Sequence, residues 1–241
     1  MTPDEQKIYD AAMAFARENK NRLGKLLTDK SKYPPDQKPV SVFMAGSPGA
    51  GKTEYSRSLI DISEENESHD VLRIDSDEIR KHIPGYIGTN SNLFQGAVSI
   101  IVDRMHDLAL HNKQSFVFDG TFSNYERAKK NVVRSLEKRR LVVIFYVYQK
   151  PEVAWQFTLA REKEEGRNIP KSALIEQYFG ALDTVMRLRK EYNNQEVMIY
   201  LVKKNFQNPA VHEVIATKQG GETIDHYLPK DYNKNYLEQI L

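Results

Sequence analysis

The residues Gly46-Ser47-Pro48-Gly49-Ala50-Gly51-Lys52-Thr53 constrain this chain more than any other feature. They fit the pattern G-x-x-x-x-G-K-[ST], in which glycines let successive backbone N–H groups turn toward one anion. The apolar run at 40–45 precedes them and predicts a buried strand. Residues 53–60 contain no Gly or Pro, so they can begin a helix. A strand, a glycine loop and a helix in this order predict a binding site for nucleotide phosphates.

Two side chains of this phosphate loop (residues 46–53) have predicted roles in the site. Lys52 is expected to reach the β- and γ-phosphates, and the Thr53 hydroxyl is expected to bind Mg²⁺. The start of the following helix adds free N–H groups and the positive end of its dipole. We therefore expect ATP or GTP as the phosphate donor and Mg²⁺ as the cofactor. A glycine-rich turn that happens to precede Lys-Thr is the alternative, and the strand in front argues against it.

The composition limits the class of protein. The chain has 241 residues, of which 40% are hydrophobic, and this fits one large domain or a domain with a small appendage. Its net charge of +2 does not indicate a general nucleic-acid binder, and its lack of cysteine excludes disulfides and thiolate metal sites. We see neither a signal-peptide pattern nor an apolar run of the ~20 residues needed to span a bilayer. The sequence therefore predicts a cytoplasmic protein without membrane contact.

Strand-like apolar runs alternate with amphipathic stretches along the middle of the chain. Strands are predicted at 40–45, 71–75, 116–118, 141–148 and 197–202, and helices at about 93–111, after Ser123, from Pro151 and after Ser172. Ser123 and Glu126 indicate a capping box. The alternation predicts an α/β protein with a parallel sheet between two helical layers, the three-layer fold of P-loop nucleoside triphosphate hydrolases, of the kinase-like kind.

Three regions follow from this pattern. Residues 1–38 are predicted to be an N-terminal helical extension and linker, in which Thr2 caps a helix and Glu5 completes a capping box. Residues 39–205 are predicted to be the P-loop core, with a lid around 160–172. Residues 206–241 are predicted to be an appendage with an edge strand around 224–228 and a short helix containing Leu237.

Two carboxylates follow the second predicted strand. We expect Asp75 to face the metal ion and Asp77 to act as the general base that takes a proton from an acceptor hydroxyl. The alternative is a solvated acidic turn that caps a short helix. After the third strand, Asp119 has the position of a Walker-B acid, and Thr121 could bind a phosphate or the acceptor. Asp119 as an ordinary turn residue competes with this interpretation.

Basic side chains near residue 160 suggest a way to stabilise the transferred phosphate. Arg161 and Arg167 belong to a charged segment between two predicted helices, where they could close over the nucleotide. The alternative is an exposed helix with ion pairs such as Arg161 with Glu165, and composition alone favours it. Since the carboxyl ends of parallel strands meet at one edge of a sheet, the polar residues at 46–53, 75–77 and 119–121 should form one composite site.

The motifs at 46–53, 74–80, 119–121 and 160–171 occur in the order seen in zeta toxins, and the chain resembles that family over about 40–202. The resemblance implies a kinase that uses ATP or GTP to phosphorylate the sugar 3′-hydroxyl of UDP-N-acetylglucosamine, whose product poisons peptidoglycan precursor synthesis. It implies a small helical protein antitoxin as a partner. The residues that it assigns are the catalytic Lys52, Asp77, Arg161 and Arg167 and the substrate-binding Asp103 and Thr121. We expect Asp77, Arg80 and Asp119 to contact the acceptor as well.

Three features depart from the family pattern. Well-studied members have Glu where this chain has Asp119, and they have a different lid sequence. The segment around 84–92 contains insertions beside the expected acceptor site. Other acceptors therefore stay open, such as a nucleotide, an antibiotic or a nucleic-acid 5′-hydroxyl. A nucleotide-gated binding module without catalysis is a further alternative, and it predicts that Asp77→Asn leaves function intact.

Overall fold

A six-stranded sheet forms the centre of the molecule in this computed structural model, which describes residues 1–66, 70–166, 168–192, 196–204, 212–217, 224–229 and 232–241. The strand order is β2-β3-β1-β4-β5-β6. The first five of these strands are parallel, and β6 runs antiparallel to β5 at the edge. The strands are β1 (Val40–Ala45), β2 (Leu72–Asp75), β3 (Phe116–Asp119), β4 (Leu141–Tyr148), β5 (Val197–Lys204) and β6 (His212–Ala216).

Helices connect the strands and cover both faces of the sheet. Within the described part of the chain they are α1 (Pro3–Leu27), α2 (Lys52–Asn66), α3 (Ser76–Arg80), α4 (Gln95–His111), α5 (Tyr125–Glu137), α6 (Pro151–Glu165), α7 (Lys171–Glu191) and α8 (Lys234–Ile240). Two short 3₁₀ turns lie at Ser91–Phe94 and Ile224–Tyr227.

Alternate side chains of β1, β3, β4 and β5 enter two separate apolar cores. Phe43 of β1 is in the larger core, together with buried residues of α1, α4, α5 and α7. Its neighbour Met44 is in a smaller core on the opposite face, where Tyr55 of α2 packs. This side-to-side alternation is what a strand imposes. The predicted three-layer α/β fold is therefore confirmed, with one antiparallel strand added to the parallel sheet.

The N-terminal helix begins at the predicted cap and packs on the body of the domain. The Glu5 backbone N–H donates to Thr2 Oγ1 at 3.3 Å, and the Thr2 backbone N–H donates to Glu5 Oε2 at 2.7 Å. Further along, Gly24 permits close contact with α4, since a Cβ there would lie 2.9 Å from Arg104 Cγ. Helix α1 therefore forms part of the packed layer that also contains α4.

Three local predictions differ from the structure. Helix α5 is capped by the Asn124 side chain, which accepts from the Arg127 backbone N–H at 3.0 Å, while the predicted cap Ser123 lies 3.0 Å from Thr121 instead. The predicted helix at 93–111 starts as a 3₁₀ turn before α4. The predicted edge strand at 224–228 is wrong, because that segment forms a 3₁₀ turn and the edge strand is β6.

Candidate active site

A cleft of about 880 Å³ opens at the carboxyl ends of the central strands. This is the edge of a parallel α/β sheet at which ligands bind. Most of the predicted site residues line it, namely Pro48, Gly49, Ala50, Gly51, Lys52, Thr53, Asp75, Asp77, Arg80, Asp119, Thr121 and Arg161. Gly46 and Ser47 begin the phosphate loop directly after β1.

The backbone of the phosphate loop needs glycine at the point where helix α6 crosses it. Gly49 has φ +71°, a left-handed conformation that other residues rarely adopt. A Cβ at this position would lie 2.0 Å from the Ala154 carbonyl oxygen and 2.8 Å from Thr158 Oγ1. The loop and the first half of α6 are therefore in direct backbone contact.

Lys52 folds back over its own loop. Its Nζ donates to the Gly46 carbonyl oxygen at 3.0 Å and to the Ser47 carbonyl oxygen at 2.7 Å. The side chain is buried and lines the cleft. The ammonium group is thus held at the loop by neutral partners, and it can exchange them for phosphate oxygens, which form stronger charge-assisted hydrogen bonds.

Arg73 of β2 holds three carboxylates together beside the loop. Its Nη2 lies 2.7 Å from Asp75 Oδ2 and 2.6 Å from Asp119 Oδ2, and its Nη1 lies 2.8 Å from Glu78 Oε1. The Arg73 side chain is only 10% exposed. Asp75 and Asp119 are buried beside it, whereas Glu78 is exposed. Arg73 fixes the positions of the two buried carboxylates, because each of these charges would be costly to bury alone.

The sequence analysis did not identify Arg73 as a site residue. One signal was available, since residues at i and i+2 of a strand share a face, and Arg73 therefore lies on the same side of β2 as Asp75. Asp119 of β3, which Arg73 also contacts, lies 46 residues further along the sequence. That pairing becomes visible only once the two strands are adjacent.

Asp75 and Asp119 have further partners that fix their orientation. Asp75 Oδ1 accepts from the Asp77 backbone N–H at 2.8 Å, so Asp75 caps helix α3. Burial raises the pKa of Asp75 to about 6, and the Arg73 charge opposes this rise. Asp119 Oδ2 also accepts from Ser56 Oγ of α2 at 3.0 Å. Asp119 is therefore more than a turn residue, because it joins β2, β3 and α2.

Asp77 stands at the start of α3 between two arginines. Its Oδ1 accepts from Arg80 Nη1, and its Oδ2 lies 3.7 Å from Arg161 Nη2. Arg80 is buried and also donates to Gln95 Oε1 at 2.6 Å. Because this second hydrogen bond fixes the guanidinium, Arg80 in turn fixes the orientation of Asp77. The Asp77 side chain is 29% exposed and lines the cleft. A carboxylate held in this way can accept a proton from a hydroxyl in the cleft.

The lid predicted around 160–172 consists of the end of α6, a short connection and the start of α7. Helix α6 ends with Gly166 in the left-handed conformation. Arg161 lies on its last turns and is 39% exposed on its side-chain surface. Arg167, the second predicted phosphate clamp, lies outside the described residues.

Asp103 is not among the residues that line the cleft. It lies on α4, and its Oδ1 is 3.1 Å from Arg127 Nη2. Arg127 does line the cleft, and its Nη1 donates to Ser99 Oγ at 3.3 Å. In this structure the predicted substrate-binding acid therefore positions an arginine at the cleft wall.

The residues that would hold a metal ion are few. Among the described residues there is no group of three or more His, Cys, Asp or Glu side chains arranged around a common point. Thr53 and Asp75 both line the cleft next to the loop. A hydroxyl and one carboxylate suit Mg²⁺, because this ion takes most of its other ligands from phosphates and water. Within the described helices, none is long and apolar enough to cross a bilayer.

Comparison with known proteins identifies the family of this chain. The family model described as Zeta toxin matches residues 24–222. The chain belongs to the zeta toxin family. Its P-loop kinase-like fold, with a mostly parallel sheet and an N-terminal helical segment, is that of the family. No curated protein matches the chain in a sequence search.

Solved structures of similar fold include proteins from the following two systems. One is the PezAT chromosomal toxin–antitoxin system of Streptococcus pneumoniae, with 16% identity and a TM-score of 0.67 over 100% of this chain and 94% of the other. Another is AvrRxo1-ORF1:AvrRxo1-ORF2 with sulphate ions, with 14% identity and a TM-score of 0.62. This match covers 99% of the present chain and 72% of the other chain. The same pair has been solved with ATP, with 13% identity over 99% and 73% and a TM-score of 0.62. At these identities the structural similarity shows that the fold is shared.

Proposed function

We propose that this zeta toxin family protein is an ATP- or GTP-dependent kinase that phosphorylates the sugar 3′-hydroxyl of UDP-N-acetylglucosamine. The observation that carries the proposal is the convergence of Lys52, Asp77 and Arg161 on one cleft at the phosphate loop. Asp77 Oδ2 and Arg161 Nη2 lie only 3.7 Å apart. A proton acceptor and a cation for phosphate oxygens therefore stand next to each other.

The chemistry is phosphoryl transfer to an alcohol. The phosphate loop and Lys52 hold the β- and γ-phosphates. Asp77 accepts the proton of the acceptor hydroxyl while the hydroxyl oxygen forms a bond to the γ-phosphorus. The bond between the γ-phosphorus and the oxygen that bridges it to the β-phosphate breaks, and the nucleoside diphosphate leaves. Arg161 stabilises the negative charge on the transferred group. Arg167 is proposed to act with it.

Thr53 and Asp75 are the side chains proposed to hold Mg²⁺. When bound, this ion neutralises charge on the phosphates during transfer. Arg73 keeps Asp75 and Asp119 fixed beside the loop through its 2.7 Å and 2.6 Å contacts. The chain therefore supplies a rigid acidic edge next to the place where the phosphates bind.

The far wall of the cleft supports a nucleotide sugar as the acceptor. Arg127, Ser99, Asn131 and Thr121 line this part of the cleft. Hydroxyl and amide groups suit the hydroxyls of a sugar, and a guanidinium suits a diphosphate. A volume of about 880 Å³ is at the upper end of the usual range for small-molecule pockets.

Mass spectrometry of reaction products tests this proposal. Purified protein, Mg²⁺ and ATP are incubated with a panel of UDP-sugars and nucleosides. We expect UDP-N-acetylglucosamine to gain one phosphate, and Asp77→Asn to reduce the rate ~100-fold or more while ATP affinity stays close to wild type. Asp61→Asn, which changes an exposed carboxylate of α2, serves as the control with normal activity. Phosphate on a different panel member would discard the acceptor and keep the mechanism, whereas ATP binding without any product would favour a binding module.

A protein antitoxin is proposed as the partner that holds this kinase inactive. The support is that one similar structure belongs to a toxin–antitoxin system and that another is a complex of two gene products. An antitoxin is needed only if the kinase harms its host, and expression in a bacterial host tests this toxicity. Growth arrest by wild type but not by Asp77→Asn is the expected result, and equal growth would contradict it.

A further inference from the structure

The C-terminal segment (residues 232–241) packs against the two helices that flank the predicted lid. Leu237 of α8 is fully buried in the larger apolar core. The Tyr232 ring meets the buried Tyr178 ring of α7 edge-on, with 6.2 Å between the ring centroids. A helix as short as α8 depends on tertiary contacts of this kind for its stability. The segment is therefore a fixed part of the domain, and the proposed phosphate transfer gives it no role.

Two polar contacts connect the C-terminal segment to the beginnings of α6 and α7. The Tyr232 hydroxyl donates to the Glu152 carboxylate, whose oxygens lie 2.9 Å and 3.1 Å from it. Glu152 is in the first turn of α6. At the start of α7, Lys171 Nζ donates to the Glu238 carbonyl oxygen at 3.0 Å. The end of α6 and the connection to α7 lie between these two attachment points.

The Glu152 contact is close to the phosphate loop. Ala154 follows Glu152 by two residues, and its carbonyl oxygen would lie 2.0 Å from a Cβ on Gly49. A hydroxyl that donates to a carboxylate forms a charge-assisted hydrogen bond, which is stronger than a neutral one. The Tyr232 contact is also partly buried. The first turn of α6 is therefore held on one side by the C-terminal segment and on the other by the phosphate loop.

The same helix carries the arginine that is proposed to stabilise the transferred phosphate. Arg161 follows Glu152 by nine residues of α6, which is about 14 Å along a helix axis. Its Nη2 lies 3.7 Å from Asp77 Oδ2. Because a helix is stiff over this length, a tilt of its first turn changes the position of Arg161. An error of about 1 Å in such a position can slow a reaction about 100-fold.

Resting on the proposed kinase function, we propose that the C-terminal segment positions helix α6 for phosphate transfer, with Tyr232 and Glu152 as the positioning residues. Neither side chain is among the described residues that line the cleft, so both act through the helix. Nucleotide binding depends on the phosphate loop and Lys52, whereas Arg161 acts mainly on the charge of the transition state. Loss of the contact therefore lowers kcat more than ATP affinity.

Steady-state kinetics with the acceptor found in the product assay tests the two residues. Tyr232→Phe removes the hydroxyl and keeps the ring. We expect its kcat to fall about tenfold, while ATP affinity measured by calorimetry changes less than about twofold. Glu152→Ala should have the same effect, and the double variant should be no slower than either single variant.

Two further variants serve as controls. Glu152→Gln also removes the charge at the start of α6, but it should keep most of kcat, because its amide oxygen still accepts from Tyr232. Tyr236→Phe removes a hydroxyl from a ring that stacks on Tyr232 and is 42% exposed. We expect normal kcat for this matched control.

Hydrogen–deuterium exchange of the full chain gives a readout that does not depend on turnover. In Tyr232→Phe we expect backbone amides of α6 to exchange faster than in wild type, because the helix loses one of its attachments. Amides of α4, which packs against α1, should exchange as in wild type.

The possible outcomes separate this inference from the proposed reaction. Normal kcat in Tyr232→Phe would overturn the positioning role, even with faster exchange in α6. Equal losses of kcat and ATP affinity, or faster exchange across the whole domain, would also overturn it, since both patterns indicate general damage. If wild type gave no product with any acceptor, the kinase proposal would fail. Faster exchange confined to α6 would then still support its attachment by Tyr232.

Discussion

Arg73 Nη2 lies 2.6 Å from Asp119 Oδ2, and this contact joins two neighbouring strands at the floor of the cleft. The strand register places Asp75 of β2 directly beside Asp119 of β3. Two adjacent buried carboxylates repel each other, and the guanidinium between them removes that cost. Arg73 therefore allows this protein to keep two acids next to its phosphate loop.

Removing the Arg73 charge should destabilise the protein strongly. Arg73→Met leaves the buried Asp75 and Asp119 carboxylates without their cation, and we expect a loss of about 3–5 kcal/mol in the free energy of unfolding. Arg57 is the matched control, because it is 4.0 Å from the same Glu78 that Arg73 binds but is 63% exposed. Arg57→Met should change stability by less than about 1 kcal/mol. Urea unfolding measures both, and similar small losses would contradict the role of Arg73.

Replacing Lys52 should weaken binding of a triphosphate more than binding of a diphosphate. Its Nζ stands at the loop carbonyls of Gly46 and Ser47, where the γ-phosphate would meet it. For Lys52→Ala we expect ATP affinity to fall about tenfold or more and ADP affinity to fall less. Lys7→Ala removes an exposed lysine of α1 and should change neither value. Unchanged affinities for both nucleotides in Lys52→Ala, measured by calorimetry, would refute the assignment of this lysine.

A methyl group at Gly49 should separate helix α6 from the phosphate loop. Its Cβ would lie 2.0 Å from the Ala154 carbonyl oxygen, and its φ of +71° is unfavourable for alanine. We expect Gly49→Ala to cost about 2 kcal/mol or more of stability and to weaken ATP binding. At Gly120 a Cβ would come no closer than 3.9 Å to a neighbour, Phe118 Cε1, so Gly120→Ala should change stability by less than about 0.5 kcal/mol. Thermal unfolding with and without ATP compares the two variants.

The buried His106 should make stability fall in mild acid. Its ring lies among Phe43, Phe116 and Phe118, and burial lowers its pKa to about 3, with Arg134 and Arg140 adding to the effect. The unfolded chain therefore binds a proton on this group below about pH 6.5, while the folded chain stays neutral until about pH 3. The contribution of His106 is complete above pH 6.5 and is lost as the pH falls.

The difference in the free energy of unfolding between wild type and His106→Phe separates the contribution of His106 from those of the other titrating groups. Wild type should lose about 2 kcal/mol more than the variant between pH 7 and pH 5, because only wild type gains the proton on unfolding. Arg134 keeps Asp107 as a partner in the variant. Urea unfolding at several pH values gives both curves, and parallel curves would show that His106 does not titrate in this range.

Strand positions were predictable because apolar runs end in polar residues at the edge of the sheet. The bounds of β1 and β4 coincide with the predicted 40–45 and 141–148. The 224–228 prediction failed because Ile224, Tyr227 and Leu228 are three and four residues apart, a spacing that suits one helical turn as well as a strand. Strand β6 was missed, since its antiparallel pairing with β5 is a contact between separate segments.

The composite site was predictable to a similar extent. The phosphate loop, Asp75, Asp77, Asp119 and Thr121 share one cleft, because all of them follow parallel strands. The sequence places Arg73 on the same face of β2 as Asp75, but it gives no sign of the Arg73 contact with Asp119 on the next strand. The Arg80 contact with Asp77 is local, and its contact with Gln95 again depends on the packing of α3 against α4.

Helix α6 connects the phosphate loop to Arg161, the arginine proposed to stabilise the transferred phosphate, through one continuous element. Ala154 and Thr158 touch Gly49, and Arg161 follows less than one turn later. Because α6 contacts the loop this close to Arg161, we expect Arg161 to adjust by side-chain rotation more than by movement of the helix. Side-chain rotation takes nanoseconds or less, whereas domain closure takes microseconds to milliseconds. Engagement of this arginine should therefore keep pace with nucleotide arrival and add no slow step to turnover.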